Sequence, residues 1–331
     1  MKWRSAVGLI LGAAVLTATL IYAGAGAVMR TLEGLRLSGL LVIALAHLPV
    51  VALMGIAWRQ AAGSVPPPPR RFIWARLVRD AAAETLPFSQ IGGFVLGVRA
   101  LCLEGPAALR GVLSMSVDLI VELGAKLPYV LAGVLALLTL APGSGLVLPL
   151  SLGLALTAVA VAVPVLARRR LGAAFQRLIR KVSQRWPVLA SLRRVHAHGD
   201  INTVLDDILS HPTRLRSGFA LHLLCWFLGA AELWLVFDLL GKPVSAARAL
   251  VIDCAVAGLR TFVFMVPAAA GVQEASYVLA CAVFGIAPAT AVAASLARRA
   301  RDLTMGAATL GVAVGTDRAI IRGRRVTSCG S

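Results

Sequence analysis

Val266-Pro267-Ala268-Ala269-Ala270-Gly271-Val272-Gln273-Glu274 leads, past a Gly285-Ile286-Ala287-Pro288 turn, into Ser295-Leu296-Ala297-Arg298-Arg299-Ala300-Arg301-Asp302-Leu303, within a run that is otherwise apolar from Val266 to Gly311. A charged side chain at mid-bilayer costs about 2.5–3.5 kcal/mol on insertion scales, so a helix carrying Arg298, Arg299, Arg301 and Asp302 cannot turn that face to lipid. The spacing predicts a helix whose charges point into the protein. The competing account makes Arg298–Arg301 an interfacial segment that snorkels to the surface. Pro267 lacks a backbone donor and Gly271 lowers the cost of bending, so the segment leading to Gln273 and Glu274 is expected to be broken or re-entrant.

Outward from this stretch, apolar runs at 6–28, 37–57, 127–141, 146–167 and 217–240 each span a bilayer or nearly so, at about 20 residues per crossing. They are built of Ala, Leu, Gly and Val without strand alternation, which argues against a barrel. With 59% of 331 residues hydrophobic and a mean hydropathy of +0.84, the chain is expected to be all-α, a polytopic integral membrane helical bundle of about eight membrane segments. The net charge of +18 does not signal nucleic acid, because the basic residues gather in short segments between apolar runs, Arg59 to Arg79 and Arg168 to Arg194. Contact with anionic lipid headgroups is the expectation. Lys2 and Arg4, and the tail Arg322-Gly323-Arg324-Arg325, place both termini in the cytoplasm of a bacterium whose cytoplasmic membrane holds the chain. The run after Arg4 reads as an uncleaved first helix, since it is longer than a usual signal core. Pro66-Pro67-Pro68-Pro69 breaks the first basic segment. One domain, 1–325, is expected, with a first half of about 1–167, a basic cytoplasmic loop 168–216, a second half of about 217–320 and a basic tail 321–331.

A weak internal repeat joins the halves. Leu86-Pro87, Gly92-Gly93, Gly105-Pro106-Ala107 and then Asp118 and Glu122 are echoed by Val266-Pro267, Gly271, Gly285 to Ala289 and then Arg298 to Asp302. Each half reads as proline, a glycine-marked break, a short apolar helix, a Gly/Pro turn and a charged helix. Paired interruptions of this kind in two halves are the sequence pointer to a transporter site on discontinuous helices. Helix breaks are therefore expected at Pro87, Gly92, Gly93, Pro267 and Gly271.

Asp118, Glu122 and Lys126 fall at i, i+4 and i+8, with Glu122 ahead of Lys126 in the favourable order. A neutralising stripe and a proton or cation relay both fit this face. Arg298 and Asp302 are also i, i+4, which leaves Arg299 and Arg301 to find an acid elsewhere, in Glu274 across the fold or in a lipid phosphate. Glu274 has no basic residue within four positions, so its partner is distant or a ligand. His196, His198 and His211 read as a solvated loop with its neighbours, without metal-ligand spacing. The five cysteines are isolated and mostly lie in apolar runs, so they read as small hydrophobes. Gly93–Gly97 and Gly311–Gly315 have the spacing that permits close helix approach. No GxSxG, phosphate-binding loop or dinucleotide fingerprint appears, so no catalytic residue, cofactor or metal is expected.

Val266-Pro267 through Gly271-Val272-Gln273-Glu274 to Gly285, then Ser295 through Leu303 and Gly306, resembles the membrane domain of lysylphosphatidylglycerol synthases and its stand-alone, flippase-like relatives. The weaker matches are Ala57-Trp58-Arg59, and Leu86-Pro87 with Gly92-Gly93 and Arg99. Within the family the chain is most similar to the hopanoid-biosynthesis-associated branch. The chain is expected to be a lipid transporter with Glu274, Gln273, Arg298, Arg299, Arg301, Asp302, Asp118, Glu122 and Arg99 as candidates along the substrate pathway, and the resemblance implies a hopanoid-linked substrate. Its expected partners are hopanoid or anionic phospholipid, with a second copy or hopanoid-pathway membrane proteins as candidate protein partners. The aminoacyl-transferase domain of the full synthases has no room after Arg325, so enzyme activity is not expected. The alternatives are an integral-membrane lipid-modifying enzyme using Asp118 or Glu274 as base, and a non-transporting scaffold for hopanoid enzymes.

Overall fold

The computed structural model describes residues 16–85, 89–103, 108–166, 201–260 and 271–328, the last thirteen by backbone alone. Every regular element among these is helical. After a helical segment at 16–23 come α1 (Ala25–Glu33), α2 (Arg36–Gln60), α3 (Pro69–Thr85), α4 (Ser89–Cys102), α5 (Ala108–Leu140) and α6 (Val147–Leu166). Then follow α7 (Ile201–Leu209), α8 (Pro212–Leu239), α9 (Ala246–Arg260), α10 (Val272–Ala282) and α11 (Pro288–Ser328). Four of these, α2, α5, α6 and α8, are long and apolar enough to cross a membrane. The chain is thus a polytopic helical membrane protein.

Both halves show one element order: long, short, short, long in α2–α5 and again in α8–α11. The short pairs flank the two prolines singled out by sequence, but Pro87 and Pro267 themselves lie outside the described residues. Gly271 does mark a start, sitting at φ +76° as the N-cap of α10, a conformation that favours glycine. Gly92 and Gly93, in contrast, are not breaks: α4 runs through both. A Cβ on Gly93 would meet the Arg79 carbonyl at 2.6 Å, and one on Gly97 the Arg79 Cβ at 2.8 Å, so these glycines let α4 lie directly on α3. Gly55 does the same for α2 on α3, where the obstacle is Ile73 Cα at 2.6 Å.

Other boundaries also shift. The expected span 127–141 is only the end of α5, whose 33 residues continue through Pro128 and include Asp118, Glu122 and Lys126. The expected span 6–28 is interrupted at Gly24, φ +76°. Nor does Arg59–Arg79 lie wholly at the headgroups, as its basic residues lead one to expect. Pro69 opens α3, as proline can at a first turn, and Arg76 and Arg79 are buried. The expected amphipathic piece is α7, whose Ile201 and Ile208 pack on Leu109, Leu113 and Val117 of α5.

α2 and α8 are antiparallel. His47 meets Glu232, the Val50 carbonyl accepts from Cys225 Sγ at 3.6 Å, and Gly218 lies against Ala57 and Gln60. α2 and α8 open the two four-helix runs, and their antiparallel packing is the arrangement that inverted halves would have. The main core joins α5, α8, α9, α10 and α11 around Tyr129, Phe237, Leu233 and Tyr277, with Ala291–Ala294 of α11 letting backbones approach. Outward, Leu148, Leu152, Leu156, Val159 and Val163 of α6 are exposed, as suits acyl chains.

The glycine seams give a direct test. Gly93→Ala and Gly55→Ala should each cost about 1–3 kcal/mol by overpacking against backbone, whereas Gly311→Ala, with nothing within 4 Å of its Cβ, should cost nothing measurable. Thermal midpoints of the purified variants in detergent measure this.

Candidate functional site

α11 supplies three arginines within one turn, Arg298, Arg299 and Arg301, and each is answered from a different helix. Arg298 is held by Asp253 of α9, donates to Tyr277 Oη at 2.9 Å and has Glu232 at 3.6 Å. Arg299 donates to Glu274 of α10 at 2.9 Å. Arg301 is held by Glu232 of α8 and by its neighbour Asp302 at 2.6 Å. His47 of α2 completes the group, 2.7 Å from Glu232 and 3.1 Å from Arg301, and Tyr129 of α5 donates to Asp253 at 2.5 Å. Four carboxylates thus face three guanidiniums: Glu232, Asp253, Glu274 and Asp302 against Arg298, Arg299 and Arg301. The expected i, i+4 partnership of Arg298 with Asp302 is not made. Longer-range acids reach Arg298, and Asp302 turns to Arg301.

Glu274 is fully buried and has three partners. Beyond Arg299, it accepts from the Gly271 backbone N–H at 2.8 Å and from Ser295 Oγ at 3.3 Å, and Ser295 in turn accepts from Gln273 Nε2 at 3.2 Å. A carboxylate at the third helical position that reaches back to the N-cap N–H satisfies a donor the helix start leaves open, and its charge suits the positive end of the dipole. Glu274 and Gln273 are therefore anchors of α10 on α11. Glu274 presents no surface to a ligand in this conformation.

The first half has its own cluster. Arg76 of α3 spans Asp80 at 2.8 Å and Glu122 of α5 at 3.0 Å, with Arg79 3.2 Å from the same Glu122. Asp118 lies 3.8 and 3.9 Å from these two guanidiniums and 2.8 Å from His222 Nε2 of α8. Glu122 is thus paired across the fold with arginines and not with Lys126, whose ammonium lies over the Trp226 ring at 5.7 Å. Asp118, Glu122 and His222 have donor atoms close enough to share an ion, but Arg76 and Arg79 already supply the positive charge there.

The clusters meet at a crevice between α3 and α11, lined by His47 and Val51 of α2, Leu77, Asp80, Ala81 and Glu84 of α3, and Asp302, Met305, Gly306 and Thr309 of α11. Asp80 belongs to one cluster through Arg76, and Asp302 and His47 to the other through Arg301; Glu84 is tied to Arg260 of α9 at 3.3 Å. A second crevice on the far side of α3 is apolar, lined by Trp74, Val78, Leu96, Leu310 and Val314, with the exposed Arg99 at its edge.

Over residues 5–309 the chain matches the family described as the lysylphosphatidylglycerol synthase TM region. It belongs to that family. Neither the curated proteins nor the solved structures compared with it gave a match. In this member of the family, the structure brings together Glu274, Gln273, Arg298, Arg299, Arg301 and Asp302 in one cluster and Asp118 and Glu122 in another, and it leaves Arg99 apart from both. Sequence reasoning missed Glu232, Asp253, His47, His222, Arg76 and Arg79. The signal for two of them was present, since Glu232 and Asp253 are lone acids inside apolar stretches and the rule applied to Arg298 applies to them equally.

The pairing predicts an asymmetry. Glu122→Gln takes the nearest carboxylate from Arg79 and one of two close ones from Arg76, both buried, and should cost about 3–5 kcal/mol, whereas Asp207→Asn, which breaks the more exposed pair of Asp207 in α7 with Arg110 in α5, should cost about 0.2–1 kcal/mol. Thermal midpoints in detergent distinguish the two.

Proposed function

We propose that the chain is a lipid transporter of the flippase-like kind, moving a hopanoid or an anionic phospholipid between leaflets of the bacterial cytoplasmic membrane or handing it on, with both termini in the cytoplasm. The observation that supports this reading is the α3–α11 crevice, where polar groups tied to both halves open beside apolar helix faces. An amphiphile needs such a border: polar partners for its head and apolar surface for its body. Arginine forks suit a phosphate head. The role is binding and passage rather than catalysis, since Asp118 and Glu274, the candidate bases, are buried among partners. With no nucleotide-binding motif in the sequence, the driving force is an ion or lipid gradient.

One observation favours the scaffold reading: the charges are largely neutralised in pairs, and the crevice holds about 40 Å³, room for a water or two and not for a headgroup. Transport requires that this crevice widen.

Asp302→Asn separates the readings. Asp302 is partly exposed, and Arg301 keeps Glu232 and His47 without it, so the thermal midpoint should move little while most lipid movement is lost. Glu274→Gln should instead lower the midpoint first, by the loss of a fully buried partner of Arg299. Leaflet-resolved lipid analysis of a deletion strain carrying each variant is the measurement. Wild-type lipid distribution with Asp302→Asn at normal expression would leave only the scaffold.

A further inference from the structure

α2 and α8, the equivalent antiparallel helices, each carry one histidine at a corresponding depth: Ala46-His47-Leu48 and Leu221-His222-Leu223. Three residues further on in each, Val50 and Cys225 touch, which fixes the register of the seam. Each histidine reaches across into the other half. His47, from the first half, contacts Glu232 and Arg301 of the second, and His222, from the second, contacts Asp118 of the first.

Both contacts turn on one hydrogen. An imidazole nitrogen 2.7 Å from a carboxylate oxygen requires a proton between them, yet the same His47 Nδ1 accepts from Arg301 at 3.1 Å only when it carries none. At the other site, Nε2 of the fully buried His222 donates to Asp118 Oδ1, and His222 Nδ1 and Asp118 Oδ2 make no hydrogen bond. An orphaned, sealed Nδ1 is a ready acceptor. Asp118 and Glu122 of α5 lie at His222, with Arg76 and Arg79 of α3 against these acids, Asp80 bound to Arg76, and Lys126 one turn beyond Glu122. Asp80 and Glu84 of α3, Glu232 of α8 and Arg298, Arg301 and Asp302 of α11 surround His47. Among the described residues the two clusters together, with Glu84, Arg260 and Lys126 included, set eight carboxylates against seven basic side chains and are one positive charge short.

We propose that the missing charge is a proton, shared between His47 and His222, and that it is the coupling ion of the lipid movement inferred above, on which this step rests. The proton comes from hydronium in the crevice and returns to water: an N–H bond forms as a hydronium O–H bond breaks, and release reverses both. His47 lines the crevice and is about one-fifth exposed, while His222 is sealed. Rocking of inverted halves about the α2–α8 seam exchanges the two environments, so one histidine is open to water whenever the other is closed.

The test is a proton count. The full-length protein, with 15N-labelled histidine and in phosphatidylcholine nanodiscs without added substrate, is titrated from pH 8 to pH 5 by NMR, the window in which a histidine changes charge. The signals of His196, His198 and His211 are identified by substitution. The expected result is one proton in total, divided between the His47 and His222 signals, with the whole proton on His47 in His222→Gln and on His222 in His47→Gln. If a histidine variant does not fold, Asp118→Asn gives the same reading by moving the proton to His47. Two independent protons, or none, overturn the proposal. A parallel assay of fluorescent phosphatidylglycerol movement in vesicles separates the two readings. Lipid movement without the shared proton overturns the coupling alone, and a shared proton without lipid movement overturns the transport reading and leaves the proton site standing.

Discussion

The interior of this bundle is organised by the requirement that a guanidinium removed from water find a carboxylate. Arg298, Arg299 and Arg301 leave α11 within one turn, and Asp253, Glu232 and Glu274 come to them from α9, α8 and α10. Each pair therefore ties a different helix to α11. Removing one partner leaves an uncompensated charge in a low-dielectric surrounding, which is why such pairs hold position more than they add stability. Tyr129, Tyr277 and Ser295 take up further hydrogen bonds of these groups, and in doing so lock side-chain directions deep in the apolar core.

The same requirement operates in the other half with the roles of the helices exchanged. There the arginines leave the short α3 and the acids leave the long α5, the reverse of α9 and α11. What the halves share is geometry: long, short, short, long, with α2 and α8 antiparallel at the seam. Glycines set how closely the layers approach, Gly55 beneath α3 and Gly93 and Gly97 between α3 and α4. That close approach brings Arg76 and Arg79 within reach of Glu122, and it leaves α3 against α11 with a polar crevice on one side and an apolar one on the other.

Particular residues show where sequence reasoning reached and where it stopped. The Arg298–Asp302 stretch was legible as an inward-facing helix because no arrangement in lipid tolerates those charges. Glu274 was legible as needing a distant partner, and Arg299, from the other side of the turn, is that partner. Glu122 misled, because a lysine at i+4 is a sufficient local partner and nothing in the order of residues reveals two arginines arriving from another helix. Gly92 and Gly93 misled in a related way. A glycine pair in an apolar run signals either a bend or a close contact, and only the neighbour pressed against it decides which.

By itself the sequence determined that the chain is helical and membrane-embedded and that the charges of 298–302 lie inside, since hydropathy and charge act through local free-energy costs that each segment carries wherever it packs. Only the tertiary structure decided the partners: Glu122 with arginines in place of a lysine, Glu274 as an anchor of α10, and two histidines reaching in opposite directions across one seam. The physical reason is that an ion pair or a crevice is a relation between helices, set by their register and separation in space, and no single helix carries that information along its own length.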